Sequence, residues 1–376
     1  MKDCDVAIVG GGLLGAAFAW GLVMKGHRVM VFDEGDNAIR TARGNFGLVW
    51  VQGKGKGMPE YARWSLQSSQ AWDDFAARLH GETGVDVHYE RPGGYVICLD
   101  DNEMSDSVST LETLRREARD GIYEYEVFDA ATLKARLPLV GDVAGATWTP
   151  HDGHCNPLKL LRALHQAFVA RGGDYRPLHR IEQIEPLADG GFRLLLENGA
   201  VACDAERIVV SAGHGSKQLG TQVGLDVPIH PDQGQVLVTE RMPPMLDVPT
   251  NYVRQTDEGT FMLGPSSRDV GFDLDTEPRT LQDIARRCIK AFPVLETMRV
   301  QRTWAALRVM TPDGFPVYQQ SETHPGAFSF ACHSGVTLAA NHALTVTDWI
   351  VEGRIPEVWR SFHPERFHVQ ANQTDH

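Results

Sequence analysis

Three glycines near the start of the chain, Gly10, Gly12 and Gly15, stand at the spacing G-x-G-x-x-G, and a carboxylate, Asp33, follows 21 residues (33 − 12) after the middle one. The chemistry this spacing serves is the capture of a dinucleotide. Gly10 permits a tight turn, Gly12 lets peptide N–H groups approach a pyrophosphate, and Gly15 lets a helix pack closely on the preceding strand. Leu13 and Leu14 fill the first helical turn, whose positive end meets the phosphates. Asp33 stands where an acid meets a ribose hydroxyl, with Glu34 as the neighbour that competes for the role. An ordinary glycine-rich turn in an α/β core would leave that terminal acid without a purpose.

Two strands and a helix are needed to hold these residues. Asp5-Val-Ala-Ile-Val9 reads as a buried strand running into the glycine turn, and His27 to Asp33 reads as a second strand. A nicotinamide-binding domain would continue with further β-α-β units, but here the order breaks. Residues 41–59 form a long glycine-rich segment predicted as neither regular helix nor strand. A helix follows from about Glu60 to His80, with Tyr61, Trp64, Trp72, Phe75 and Leu79 as its apolar positions. β-α-β material returns far downstream: a helix from Asn156, a strand at 207–210 closed by Ala212 and Gly213, and a strand at 327–331 followed by a Ser334-Gly335 turn and a helix towards Gly353. Between these lie strands near 94–99, 236–240, 251–254 and 260–264 and helices near 108–120, 130–136 and 280–291, the pattern of an antiparallel sheet with helices on one side. The expected class is α/β, α+β overall. A discontinuous Rossmann-like cofactor domain (1–85, 145–225 and 310–376) carries an inserted antiparallel-sheet substrate domain (86–144 and 226–309).

The chain of 376 residues suits two joined domains. A net charge of −13 argues against nucleic acid as a partner, because phosphate recognition needs a clustered basic surface. No run of 18 apolar residues and no signal peptide is present, so the expected place is the cytoplasm, with any membrane contact peripheral and through a complex. Six cysteines are scattered singly and fifteen histidines form no ligand cluster, so no metal site is expected.

Four segments carry a resemblance: Gly10 to Gly15, the strand-plus-glycine Ile208-Val-Val-Ser-Ala-Gly213, Leu307-Arg-Val-Met-Thr-Pro-Asp-Gly-Phe-Pro316, and Cys332-His-Ser-Gly-Val-Thr-Leu-Ala-Ala340. In this order they resemble the D-amino-acid oxidase-like superfamily of FAD-dependent oxidoreductases, over nearly the whole chain. More narrowly, Arg43-Gly-Asn-Phe-Gly-Leu-Val-Trp-Val-Gln-Gly-Lys-Gly55 is similar to the FAD-bearing β subunits of heteromeric dehydrogenases, which include opine oxidases, hydrogen cyanide synthase and hydroxyproline or proline dehydrogenases. The resemblance implies oxidation of a CH–NH bond by hydride transfer to flavin N5, giving an imine that water hydrolyses. It implies FAD contacts from Arg43, Gly44, Asn45, Gly47 and Leu48, and from Ala212 and Gly213. Ser334, Gly335, Val336, Thr337 and Leu338 would offer backbone donors where reduced flavin gathers negative charge.

For the substrate, the resemblance implies that Arg308 holds an amino-acid carboxylate and that Tyr252 presents its hydroxyl to it. Arg308 alternatively forms a structural salt bridge, and Tyr252 alternatively packs in a core. His333 either touches flavin or substrate or is a satisfied structural histidine. No general base stands out. Where sarcosine oxidases carry a flavin-linking cysteine this chain has Ala306, so FAD is expected to be noncovalent. Lys54 and Lys56, in Gly53-Lys-Gly-Lys-Gly57, are expected to hold the phosphate of a second flavin, FMN, at a subunit interface, or else to lie in an exposed loop. The expected function is dehydrogenation of a secondary amino acid or opine (hydroxyproline, proline, opine or glycine type), with a partner α subunit and a small iron–sulfur subunit receiving the electrons. A free-standing glycine, sarcosine or D-amino-acid oxidase producing hydrogen peroxide, and a flavin electron-relay subunit without its own substrate, remain as alternatives.

Overall fold

The computed structural model describes residues 2–35, 41–118 and 123–371. Its architecture is mixed α/β. The largest sheet has eight strands, and its spine runs Val317–Gln320, Ala327–Ala331, Val201–Val210, Cys4–Val9, Val29–Phe32 and Asp174–Arg176. The last five of these are mutually parallel, and a hairpin of Ile181–Pro186 and Phe192–Leu196 pairs onto Val201–Val210. Runs of Val and Ile buried on both faces are what a parallel sheet covered by helices requires. The helix Leu13–Met24 is apolar all round and buried over almost its whole length, so it is a core helix rather than an amphipathic surface one.

The helix Pro59–Thr83 begins with proline in its first turn and ends at Gly84 in the left-handed conformation. It buries Trp64, Trp72 and Phe75 completely. Trp64 sits in a cluster with Phe18, Tyr318, Phe330 and Trp349 that joins the amino-terminal and carboxy-terminal segments into one core. Each such ring removes roughly 150–250 Å² from water, about 4–6 kcal/mol of gross stabilisation.

A second body covers this one. Its four-stranded antiparallel sheet runs Val253–Gln255, Thr260–Leu263, His230–Arg241 and Val300–Met310. A three-stranded sheet of Gly94–Cys98, Gly145–Thr149 and Glu126–Asp129 is bridged to it where Tyr95 meets Thr250. Gly145–Thr149 corrects one expectation. The boundary drawn at residue 145 assigned this strand to the cofactor domain, yet it pairs along its length with Gly94–Cys98 and buries Ala146 with Ile97 and Phe128.

The glycine-rich stretch after residue 41 also holds more order than expected, since Leu48–Val49 pairs with Gly153–His154. The expected helix near 108–120 starts earlier, at Asp101, where Asp100 caps it through the N–H groups of Asn102 and Glu103. Residues 119 and 120 lie outside the described residues.

Candidate active site

A cavity of about 730 Å³ opens along the carboxyl ends of the parallel strands, between the two bodies. One end is built by the first strand and helix. Gly10 takes φ +104°, and a Cβ on Gly15 would stand 1.8 Å from the Gly10 carbonyl oxygen, so only glycine lets helix and strand meet this closely. The helix is capped by Gly12 without any side-chain acceptor, and the peptide N–H groups of Leu13, Leu14 and Gly15 find no acceptor among the described residues. Gly10, Gly12, Leu13 and Leu14 line the cavity, so these donors form an anion seat in its wall. Asp33 lines it too, accepting from Gly11 N–H at 2.6 Å and Gly35 N–H at 2.7 Å, which fixes its carboxylate with lone pairs to spare. Glu34 is exposed at the rim, 3.9 Å from Arg180.

The middle of the cavity is walled by Arg43, Asn45, Ala212 and Gly213. Gly44 sits behind them, its carbonyl accepting from the Trp304 indole at 3.2 Å, and Asn45 steadies the turn by accepting from Gly47 N–H. Sequence reasoning missed His214, which also lines the cavity and whose Nε2 has no partner among the described residues. Its only sequence signal is its place directly after the Ala212-Gly213 turn.

The far end is closed by the turn 333–338 and the antiparallel sheet. His333 and Gly335 line the cavity. The peptide N–H groups of Gly335, Val336 and Thr337 find no acceptor among the described residues. Leu338 N–H is satisfied by Ser334 C=O. On the sheet, register places Arg308 opposite Asp232 and Ala306 opposite Gly234. The Arg308 guanidinium lies over Gly234, donates to Asp232 at 2.5 Å and to Ser266 C=O at 2.7 Å, and is part of the field that His333 feels. Burial first, and then the cations Lys54 and Arg308, push the His333 imidazole well below its ordinary value. Its ring is open to the cavity but set deep within it.

Tyr252 is a correction. Its hydroxyl does not reach this end of the cavity. It is held by Glu103 at 3.1 Å and Arg287 at 2.5 Å, and its ring packs with Leu263 and Phe261 in the core of the covering body. The strand begins at Val253, two residues later than expected, after Thr250 turns the chain by bonding back to Val253. That turn aims Tyr252 away from the cavity. Arg254 instead faces the cofactor loop, donating to Phe46 C=O.

Lys54 is the second correction. The residue as a whole keeps some exposure, but its ammonium is enclosed, donating to Ser334 Oγ at 2.5 Å and Thr337 Oγ1 at 3.2 Å. Burial pushes it down to about 8 against the opposing pull of Cys332 and Asp152. Lys56 is exposed and reaches Thr110 on another helix. The two amines therefore part company and do not form one phosphate seat. The loop carrying Lys54 is held by a buried carboxylate that sequence reasoning did not single out. Asp152 accepts from Val51 N–H at 2.5 Å, Gln52 N–H at 3.3 Å and the Gln52 amide at 2.9 Å, and burial raises it to about 7.

The family model for FAD dependent oxidoreductases matches residues 5–349. The chain belongs to that family. It is 40% identical to the opine oxidase B subunit of Agrobacterium tumefaciens (strain Ach5) and 39% identical to the opine oxidase B subunit of Rhizobium meliloti, in each case over 98% of this chain and 99% of the relative. Among solved structures it resembles glycine oxidase from Geobacillus kaustophilus, with a TM-score of 0.87 and 23% identity over 96% of this chain and 98% of that one.

The residues present fit the FAD that the family requires. The unpaired N–H groups at residues 13–15 suit its pyrophosphate, and Asp33 suits a ribose. The N–H groups of 335–337 offer donors to its flavin half, and His214 turns an unpaired Nε2 to the same cavity. As an oxidoreductase of this family the chain is an enzyme, and no helix among its described residues is long and apolar enough to cross a membrane.

Proposed function

We propose that this FAD-dependent oxidoreductase dehydrogenates the CH–NH bond of a secondary amino acid or opine, as the catalytic subunit of a heteromeric complex. The observation that carries the reading is His333 in the wall of the cofactor cavity, in the turn that holds Lys54, with Arg308 fixed by Asp232 on the strand whose Leu307 and Val309 line the same cavity. Two cations around a neutral imidazole favour a substrate that brings a carboxylate beside an amine. The likeness to the opine oxidase B subunits supports both the substrate class and a partner subunit.

FAD, when bound, supplies the two-electron acceptor. The chain's own residues do the rest. Asp232 and Ser266 C=O lock the Arg308 guanidinium in one orientation, so that its remaining donors meet a carboxylate without a search over rotamers. His333, neutral at working pH, accepts a hydrogen bond from the substrate amine and adds no charge repulsion. Trp304 donates to Gly44 C=O and so steadies the loop whose Arg43 and Asn45 wall the cavity. Ala306 offers no nucleophile, and the FAD is held noncovalently.

Dye reduction by the purified protein, alone and with any co-purifying subunits, tests this across opines, proline, hydroxyproline, glycine and sarcosine. Turnover with an opine or a cyclic secondary amine, slow reaction with oxygen, and flavin released into the supernatant on acid precipitation are expected. Rapid hydrogen peroxide production by the lone chain would move it to the free-standing oxidases.

A further inference from the structure

The residue between the first two glycines of the dinucleotide turn is held at both of its peptide groups. Gly11 N–H donates to Asp33 Oδ2 at 2.6 Å, and Gly11 C=O lies 2.7 Å from His165 Nε2. A carbonyl oxygen only accepts, so Nε2 carries the proton of this bond. His165 stands 154 residues from Gly11 in the sequence, on the helix Pro157–Ala170. That helix packs on Leu13, Ala16 and Ala17 of the first helix through Leu160, Ala163 and Leu164. Tyr175, on the edge strand Asp174–Arg176, backs the imidazole with 4.5 Å between ring centroids, and a Cβ on Gly11 would stand 3.0 Å from the same tyrosine ring. Burial pushes the imidazole below its ordinary value, against the pull of the Gly11 carbonyl and Asp33, so at neutral pH it is an uncharged donor.

The consequence falls on the next residue. The bond between Gly11 and Gly12 is trans, and across a trans peptide the C=O and the N–H point in opposite directions. Glycine on both sides leaves that peptide few steric restraints, so its orientation depends on the partner of its carbonyl. With Gly11 C=O drawn onto His165, Gly12 N–H is turned the other way, where it finds no acceptor among the described residues. Gly12 caps the helix, so this donor adjoins those of Leu13, Leu14 and Gly15. Gly11, Gly12, Asp33, His165 and Tyr175 all line the cavity that fits FAD.

We propose that His165 is a positioning residue for the cofactor phosphates: its Nε2–H holds Gly11 C=O and thereby aims Gly12 N–H into the pyrophosphate seat. The imidazole acts on the peptide and not on the anion, and a donor oriented in advance spares the cost of ordering it when the ligand arrives. The inference rests on the FAD reading and does not depend on which amine is oxidised.

The test titrates the full-length apo-protein, with any co-purifying subunits, with FAD and with ADP, which carries the pyrophosphate without the flavin. His165→Phe keeps a ring against Tyr175 and loses the donor, whereas His165→Gln loses the ring and keeps an N–H at the end of its side chain. His165→Phe should weaken FAD and ADP each at least tenfold, and His165→Gln should stay within threefold of the unaltered chain for both. If His165→Phe does not fold, His165→Leu takes its place with the same expectation. FAD affinity within threefold for the Phe variant overturns the proposal. So does equal loss in both variants, or loss with Gln but not with Phe, which would make His165 a packing residue. Weakened FAD beside unchanged ADP would put His165 on the flavin half and overturns it as well. Binding is read without turnover, so an unaltered chain that takes up FAD and oxidises none of the tested amines sinks the amine reading alone, and one that takes up no FAD sinks the FAD reading and this proposal with it.

Discussion

Gly15→Ala should cost the protein its cofactor before it costs the fold. The added Cβ would lie 1.8 Å from Gly10 C=O and 2.9 Å from Ser211 Oγ, and real Cβ atoms essentially never come closer than 3.0 Å to a neighbour. The start of the helix Leu13–Met24 must therefore retreat from the first strand by at least 1.2 Å, the difference between 3.0 and 1.8. Hydrogen bonds from Leu13, Leu14 or Gly15 N–H to a pyrophosphate stretched by about 1 Å fall beyond the roughly 3.2 Å limit of useful geometry. Each charge-assisted bond contributes about 1.5–3 kcal/mol, so losing two lowers FAD affinity by roughly 10²–10⁴-fold. Overpacking adds about 1–3 kcal/mol of destabilisation to the apo-protein. Gly81→Ala is the control, because that exposed helical position has nothing within 4 Å. It should gain about 0.5–1 kcal/mol and leave FAD affinity alone. Titration of both apo-proteins with FAD, followed by flavin fluorescence, measures the difference. Binding by the Gly15→Ala protein within threefold of the unaltered chain would refute the account of how helix and strand make the seat.

Asp152 gives a pH signature. Its folded value is raised from 3.8 to about 7, so between those values the unfolded chain has released the proton while the folded chain keeps it. The stabilisation is full below about pH 4 and is lost as pH rises through about 7, by ~4 kcal/mol at most. Asp152→Asn should flatten that dependence, seen as a smaller difference between urea midpoints at pH 5 and pH 8, and an unaltered difference would mean that Asp152 ionises normally. Tyr252→Phe should lose about 1 kcal/mol of stability, through its Glu103 and Arg287 partners, while kcat/KM for the best amine stays within twofold. A hundredfold fall in kcat/KM would return the hydroxyl to the substrate.

What could be read without coordinates was whatever depends on the backbone of a short segment. The dinucleotide seat is of that kind: strand, three glycines, helix and Asp33 lie within 33 residues, and each glycine answers a local demand. The break in β-α-β order after Asp33 was readable for the same reason, because glycines in 41–59 rule out long regular elements nearby. Sheet membership was harder. Gly145–Thr149 is a strand on any reading, but its partner Gly94–Cys98 lies about fifty residues earlier, and no local pattern says which sheet it joins. Side-chain direction was hardest, because a residue just outside a strand is aimed by the turn it sits in rather than by the alternation of the strand. With the strand starting at Val253 rather than Asn251, Tyr252 turns into the covering body, and the carry-over of its role from relatives fails on that detail.

Lys54 shows the same limit from the other side. In a run of alternating Gly and Lys, two amines two residues apart look equivalent, and a shared phosphate is the natural inference. The distinction is made by Asp152, about a hundred residues away, which ties down Val51 and Gln52 so that Lys54 points inward while Lys56 is left outside. A buried aspartate that costs free energy to keep is reason to look at what it positions, and here that is the one amine of the loop set beside the turn that closes the FAD cavity.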